Sequence, residues 1–583
     1  MLKLGYFEHW SQPEFPFIKW AKEQGYEFKK IDYSLPGYLD EFDVVLIEQN
    51  GFNDYIENDE DYIHDWIRNG GIMFFMAQDY KRWAPYFLPE EAGYTQIIHR
   101  HVGAMSGCGP YLDEDRSPWK TYMMPWIEEC GRKLFAVPNE ITADEMIDWN
   151  IRVNTFVEGQ PKGQQVGIAV CSAAVCCMLP DKQWDVLGSY MDPAVRDGAL
   201  IAKCNCGKGM VFVNQLMFPE IYEEKAERCL SFWKKYLPNL LAYFERFKAG
   251  ESEEMPPKST ELPIKRNYKM CSHMHSLDWY GCDSQPGTIN AMMRYKGFDI
   301  CSIAIKYTAP YGGKLDVSKY CDDKVLFLNG QEYHPFNWKD KFDSESHNTY
   351  HMLSIGVDDG AYTSKFTRSL FSDDEVNEYL KEAVKYVHDN NGVVCSAHAY
   401  GYYFDRNVGY DAMDQEPLKS LVGSNAERFW LEGGKTAFMS SVDLFGFRRM
   451  KHYPTMTFIY LEGKVPSRDT VCEAIRKRHT IAATFFDEAD ITLGDYLPGD
   501  EVTLQEAKTL PLNVKAKIGK GNLTELRVYS ADKLIYTQAL QGTEVNTSIS
   551  LKDYELSKFV RVEIQGEHEL YACISTPFFF KSL

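Results

Sequence analysis

Between residues 268 and 443, four apolar runs of strand length are each followed closely by a residue that can bind a metal ion. Residues 268–270 precede His273 and His275, residues 325–328 precede Glu332, residues 393–395 precede His398, and residues 437–439 precede Asp443. His351 falls between the second and third of these. Strands that deliver imidazoles and carboxylates to a common rim are how a barrel builds a metal site, so the series predicts strands converging on catalytic ions at one end. Strand side chains alternate, so the H-x-H spacing puts His273 and His275 on one face while Met274 points into the core. An H-x-H alone is weak, because core or surface histidines produce it as readily. The weight lies in the whole series of imidazoles and carboxylates. Imidazole with carboxylate suits Zn, Mn or Fe. A carboxylate such as Glu332 can bridge two ions that clamp both oxygens of a displacement.

At 583 residues the chain is too long for one core. A net charge of −21, from 63 basic and 84 acidic side chains, argues against non-specific nucleic-acid binding, which needs a basic footprint. It does not exclude a small anionic substrate, because a metal cluster can outweigh the global field. No apolar run approaches the roughly 20 residues that span a bilayer, and the first residues enter a strand pattern without a signal-peptide core. The 15 cysteines are odd in number and scattered, which fits a reducing cytoplasm better than a disulfide framework. Cys204 and Cys206 have no second pair at zinc-site spacing, and Gly207-Lys208-Gly209 after them predicts a turn between strands. The expected partners are a small-molecule substrate, with neither nucleic acid nor membrane; a homo-oligomer remains open.

The first 248 residues alternate strand and helix signals. Strands are expected at 2–7, 28–31, 43–48, 72–76, 167–171 and 209–213, and helices at 14–24, 55–69 and 226–247. That alternation predicts a flavodoxin-like parallel sheet covered on both faces. A Glu, Ser, Lys and Pro-rich linker at 249–264 separates it from a barrel at 265–487, which includes a helix at 373–389. From 488 to 583, short alternating runs with Gly, Asp and Asn turns predict a small β-sandwich. The fold class is therefore multidomain α/β.

The motif stretches resemble those of the polymerase and histidinol phosphatase (PHP) metallo-hydrolase superfamily. Ser272-His-Met-His-Ser276 resembles its first motif, Asn329-Gly-Gln-Glu-Tyr333 its G-x-E, and His351-Met-Leu-Ser-Ile-Gly356 its H-x-N-x-L-G strand. Ser396-Ala-His-Ala399 is similar to its A-H-P strand, and Ser441-Val-Asp-Leu-Phe445 stands where G-S-D-x-H is expected. The layout through Pro454–Tyr460, His479–Thr484 and the β-rich end is similar to the carbaryl-hydrolase-like branch, over roughly residues 265–583. The resemblance implies a distorted (β/α)7-type barrel. It implies His273, His275, Glu332 and Asp443 for one divalent ion, and Glu332, His351 and His398 for a second. The three positions that serve a third ion in the family depart here. Lys306 and Phe445 replace histidines, and Asp278 or Asp283 is the nearest counterpart of the remaining ligand. Two ions are therefore expected, with Lys306 in the vacated corner.

Lys306 could contact an anionic substrate group or the leaving oxygen, or pair with Asp278 or Asp283; both readings stay open. Asp278 or Lys306 could protonate the leaving group. His347 and His334 are either extra ligands or proton shuttles, or ordinary loop histidines. Tyr400, Tyr402, Tyr403 and Arg406 either line a substrate cleft or pack a lid. The resemblance implies hydrolysis of a phosphoester, or of a carboxyl or carbamate ester, in a small or carbohydrate-related substrate. The alternative is a binding or scaffold protein that has lost turnover.

Residues 1–248 resemble a class I glutamine-amidotransferase-like domain at 43–48, 70–76, 184–187 and 207–213. The nucleophile stretch reads Met76-Ala-Gln-Asp-Tyr80, without the cysteine such chemistry needs. The domain is expected to be non-catalytic, with sugar recognition, packing or subunit contact as its role.

Overall fold

The computed structural model describes residues 2–8, 15–48, 59–78, 83, 88–93, 95–99, 125–142, 145, 176–190, 198–216, 218, 223–275, 289–290, 293–294, 296–305, 317–333, 352–357, 373–397, 408–415, 420–440 and 455–581. Two compact units emerge, residues 1–257 with 283–291, and residues 258–282 with 292–583. The chain is a multidomain α/β protein built on several mixed sheets. No helix among the described residues is long and apolar enough to cross a membrane.

In the first unit, β1 (Leu4–Tyr6), β2 (Phe28–Lys30), β3 (Val44–Ile47), β4 (Ile72–Met76), β5 (Gln96–His99), β6 (Pro125–Ile127), β7 (Cys176–Leu179), β8 (Asp185–Tyr190), β9 (Ala199–Cys206) and β10 (Gly209–Asn214) form one sheet. Strands β2-β1-β3-β4-β10 run parallel in that order. The residues of β3, β4 and β10 are apolar on both faces because both faces are covered, whereas the edge strand β2 exposes Lys29 and Lys30. Leu46, Phe74 and Phe212 pack with the helices Pro16–Glu23 and Glu223–Ala249, while Val45, Phe75 and Val213 pack with Glu60–Arg68. The expected all-parallel sheet is corrected on its far side, where β5, β7, β8 and β9 add antiparallel pairings. The cause is local: the turn at Gly207-Lys208 folds β10 back on β9, and a two-residue turn can join only antiparallel strands. Cys204 and Cys206 lie buried within that hairpin. The expected strand at 167–171 lies outside the described residues.

The second unit opens with β11 (Tyr268–Met274), β12 (Ile300–Ile305), β13 (Leu326–Tyr333), β14 (Met352–Ile355), β15 (Val393–Ser396), β16 (Ala412–Asp414), β17 (Ala437–Met439) and β18 (Thr455–Ile459). They pair in sequence from β17 down to β11, and β11 then pairs with β18. All eight contribute to one core: Met270, Ile300, Ala304, Leu328, Leu353, Cys395, Ala412, Met439 and Ile459 pack together. The alternate residues Met352 and Val394 face the helix Asp373–Asp389 instead, and Met413 and Phe438 face Asn425–Leu431. This alternation defines an interior and an exterior wall.

The last side is closed by threonine hydroxyls rather than a backbone ladder. The Thr457 hydroxyl accepts from the Ser440 amide and donates to the Ser440 carbonyl, both at 3.1 Å. The next strand, β19 (Thr480–Thr484), supplies Thr480, whose hydroxyl donates to the Phe438 carbonyl at 2.9 Å and meets the Thr576 hydroxyl at 2.8 Å. Thr576 in turn accepts the Phe438 amide at 2.8 Å. Strand β17 is thereby sewn to its neighbours through side chains.

Beyond β19 come β20 (Phe486–Leu493), β21 (Glu501–Val502), β22 (Pro511–Ile518), β23 (Leu523–Ser530), β24 (Lys533–Ala539), β25 (Glu544–Ser550), β26 (Phe559–Gly566), β27 (Ala572–Ser575) and β28 (Phe578–Phe580). Strands β20, β22 and β25 make a separate sheet. The others continue the barrel sheet, because β27 pairs antiparallel with β19 and β26 follows. Strands on either side of residue 488 thus share hydrogen bonds. Fully buried Arg561 of β26 pairs with Glu427 at 2.7 Å and Glu563 at 3.1 Å, so no charge is buried alone.

Thr480→Val would leave the Phe438 carbonyl and the Thr576 hydroxyl short of a buried partner. It is expected to lower stability by about 1–3 kcal/mol with the fold retained, read by denaturant melts. An unchanged midpoint would show that the hydroxyl seam contributes nothing.

Candidate metal centre

His273 and His275 lie at the end of β11, and Glu332 lies near the end of β13, two strands away across β12. Because β11, β12 and β13 are parallel, their carboxyl ends share one rim of the barrel. All three side chains are fully buried. His273 Nε2 and His275 Nε2 are 3.1 Å apart, and Glu332 Oε2 lies 3.2 Å from His275 Nε2 and 3.7 Å from His273 Nε2.

The two-residue spacing of the imidazoles is joined by an irregularity just before it. Met270 and Cys271 pair with Ile300 and Cys301, but Met274 pairs with Ile303, so β11 carries one extra residue between Cys271 and Met274. That bulge adjoins the H-x-H. A bulge bends the strand and re-aims side chains, a device common beside functional sites. The rings end with centroids 4.8 Å apart at 69° to one another, and Met274 is buried as expected.

The backbone of β12 then fixes one tautomer. His275 Nδ1 lies 2.8 Å from the Ala304 carbonyl, which can only accept, so Nδ1 carries the proton and donates. In the neutral ring, Nε2 therefore presents a lone pair toward Glu332 Oε2 and His273 Nε2. His273 Nε2 can donate toward that lone pair or toward Glu332 Oε2, and a metal ion can take the place of that proton among the three atoms. Donors 2.0–2.2 Å from a common ion stand about 3.0–3.6 Å from each other. Two of the three separations, 3.1 and 3.2 Å, fall in that range and the third, 3.7 Å, lies just beyond it, and a carbonyl behind a ligating imidazole is the usual second support of a metal histidine. The buried His-His-Glu group could hold a metal ion.

Gly330 explains the glycine two residues before Glu332. A Cβ there would come within 2.5 Å of the Ser354 carbonyl and 2.8 Å of the Ser302 hydroxyl. Only glycine lets β13 lie this close to β14 while presenting Glu332. The group at metal-ligand spacing among the described residues contains no cysteine. Burial pushes Cys301 up, as does its neighbour Cys271, and burial pushes Cys395 up, reinforced by the Asp414 carboxylate.

Of the residues expected from the sequence, the structure brings His273, His275 and Glu332 together. His351, His398, Asp443, Lys306, Asp278, His347, Tyr402 and Arg406 lie outside the described residues, as do Asp283, His334, Tyr400, Tyr403 and Phe445. The described strands nearest them reach the same rim: Met352, which opens β14, pairs with Ser396 at the end of β15, and Tyr333 pairs with Met352. Sequence reasoning did not identify the Ala304 carbonyl, which no side-chain pattern can reveal.

No family model matches the chain. No curated protein matches it. Among solved structures it is similar to an exo-β-1,4-mannosidase from Opitutaceae bacterium strain TAV5, at 11% identity and a TM-score of 0.19, over 42% of this chain and 34% of that one. A cytoplasmic protein of Salmonella typhimurium shows 12% identity and a TM-score of 0.24, over 39% and 84%. A β-galactosidase from Bacillus circulans sp. alkalophilus shows 9% identity and a TM-score of 0.21, over 45% and 33%. The chain thus spans about a third of the mannosidase's length. Likeness at these scores says nothing about this protein's fold or chemistry.

Gly330→Val should displace β13 and Glu332. Full-length protein carrying it is expected to retain at least about tenfold less Mn²⁺ or Zn²⁺ after dialysis. Metal content equal to the parent's would show that the close approach does not position the carboxylate.

Proposed function

We propose that this protein is a metal-dependent hydrolase that cleaves an ester-type bond, a phosphoester or a carboxyl or carbamate ester, in a small substrate. The observation that carries the proposal is the convergence of two imidazole nitrogens and one carboxylate, fully buried, at metal-ligand spacing. Two divalent ions are proposed, of Mn, Zn or Fe type. His273, His275, Glu332 and Asp443 would hold one, and Glu332, His351 and His398 the other. Ions so held supply a water of lowered pKa and a Lewis acid for the developing oxyanion.

The protein's own groups do the rest. The Ala304 carbonyl keeps the His275 Nε2 lone pair directed at the centre. Ser272 and Ser302, both buried, have hydroxyls with no hydrogen-bond partner among the described residues. Ser272 adjoins His273 on β11, and Ser302 precedes Ala304 by two positions on β12. Buried hydroxyls of this kind require water or a polar guest, which suits a site that takes oxygen-rich substrate groups. Lys306 or Asp278 would deliver the proton to the leaving oxygen, and His347, Tyr402 and Arg406 would contact the substrate.

Glu332→Gln keeps the shape of the side chain but removes its charge. It is expected to lower both bound metal and turnover of an aryl phosphate or aryl ester by about 100-fold or more. Full turnover with metal retained would overturn the assignment. A parent protein with neither metal nor turnover would instead mark a binding or scaffold protein in which a protonated His275 pairs with Glu332.

A further inference from the structure

Four buried hydroxyls without a partner among the described residues lie on four neighbouring strands beside the His-His-Glu group. They belong to Ser302 on β12, Ser272 on β11, Thr455 at the start of β18 and Thr484 at the end of β19, and none is more than 2% exposed. The strands pair in that order. Thr455 and Thr484 are directly opposite in an antiparallel ladder, so their side chains share a face with Cβ atoms about 4.5–5.5 Å apart. Met270 lies opposite Thr457, and Ser272 and Thr455 each stand two residues farther toward the rim. Cys271 pairs with Cys301, and Ser272 and Ser302 are the next residues on each strand.

The row faces the barrel interior. Ile300 and Ala304 flank Ser302 at two-residue spacing and pack in the interior core, as does Ile459, which shares its face with Thr457 and Thr455. A Cβ at Gly330 would meet the Ser302 hydroxyl at 2.8 Å, which places that oxygen against β13, the strand of Glu332. Ser272 adjoins His273 in the sequence. Deeper along β18 and β19 the threonine hydroxyls are taken. Thr457 bonds the Ser440 backbone, and Thr480 bonds the Phe438 carbonyl and the Thr576 hydroxyl. On these two strands the unmet hydroxyls are therefore those at the rim end, where the imidazoles stand.

A buried hydroxyl left unbonded costs free energy, and an ordered water with several polar partners is the usual remedy. Hydroxyls both donate and accept and carry no charge, so a row of them suits neutral water rather than an ion. At 2% exposure or less the row is closed to a larger guest. We propose that Ser302, Ser272, Thr455 and Thr484 line an internal water site on the wall of the His-His-Glu group, with Thr455 and Thr484 bridged by a shared water. Water held there gives the buried imidazoles and carboxylate a polar flank. The site exists whether or not an ion lies among His273, His275 and Glu332, and so stands apart from the hydrolase reading.

The test is thermal melting of chelator-stripped full-length protein carrying Thr455→Val, Thr484→Val or both, since valine keeps the shape of threonine without its hydroxyl. Each single variant is expected to melt about 2–4 °C below the parent. The double variant is expected to fall by less than the sum, because both changes remove the same water. A single variant that melts at or above the parental temperature would reveal a dry hydroxyl and overturn the inference, and so would additive losses. If a variant does not fold, a crystal structure of the parent decides. Water within about 2.7–3.2 Å of both the Thr455 and Thr484 hydroxyls supports the site. The two hydroxyls bonded directly to each other, or no water between them, overturns it.

Discussion

Two imidazoles and a carboxylate crowded together without exposed surface are the constraint around which the second unit is arranged. His273 Nε2, His275 Nε2 and Glu332 Oε2 lie within 3.7 Å of one another with no exposed surface. A metal ion held among these atoms would draw on all three at once. The neighbouring features make that crowding obligatory. A bulge in β11 lies between Cys271 and Met274 beside the imidazoles, the Ala304 carbonyl sets the tautomer of one, and Gly330 lets β13 lie close to β14 where it carries Glu332. Each acts through backbone, which is stiffer than any side-chain contact.

Side-chain hydrogen bonds tie the end strand β17 of the barrel sheet to β18 and β19. The barrel's weakest side is held by Thr457, Thr480 and Thr576, whose hydroxyls replace a strand ladder. Continuity of the same sheet into β27 and β26 then ties the barrel wall to the C-terminal strands. The ion cluster of Arg561, Glu563 and Glu427 fastens the segment after β16 to that extension. Stability of the C-terminal region and geometry of the barrel wall are therefore coupled through shared hydrogen bonds.

Much of this was legible from sequence, and the remainder fails for identifiable reasons. Apolar runs at 44–47, 72–76, 326–328 and 393–395 mark strands because both sheet faces are covered, and the turn after Cys206 is written in its glycines. The H-x-H and G-x-E spacings pointed to the residues that meet. The bulge was invisible, because an extra residue in a strand leaves no compositional trace. The antiparallel additions to the first sheet and the pairing of β19 with β27 are non-local, and local pattern does not encode partner choice.

The central claim is that a metal ion, rather than a proton, occupies the gap among the three donors. The most direct measurement is a crystal structure of the Mn²⁺-loaded protein with anomalous difference density at the manganese edge. The account predicts a peak about 2.0–2.3 Å from His273 Nε2, His275 Nε2 and a Glu332 oxygen together. Density elsewhere, or none in Mn²⁺ with His275 and Glu332 still in hydrogen-bond contact, would contradict it.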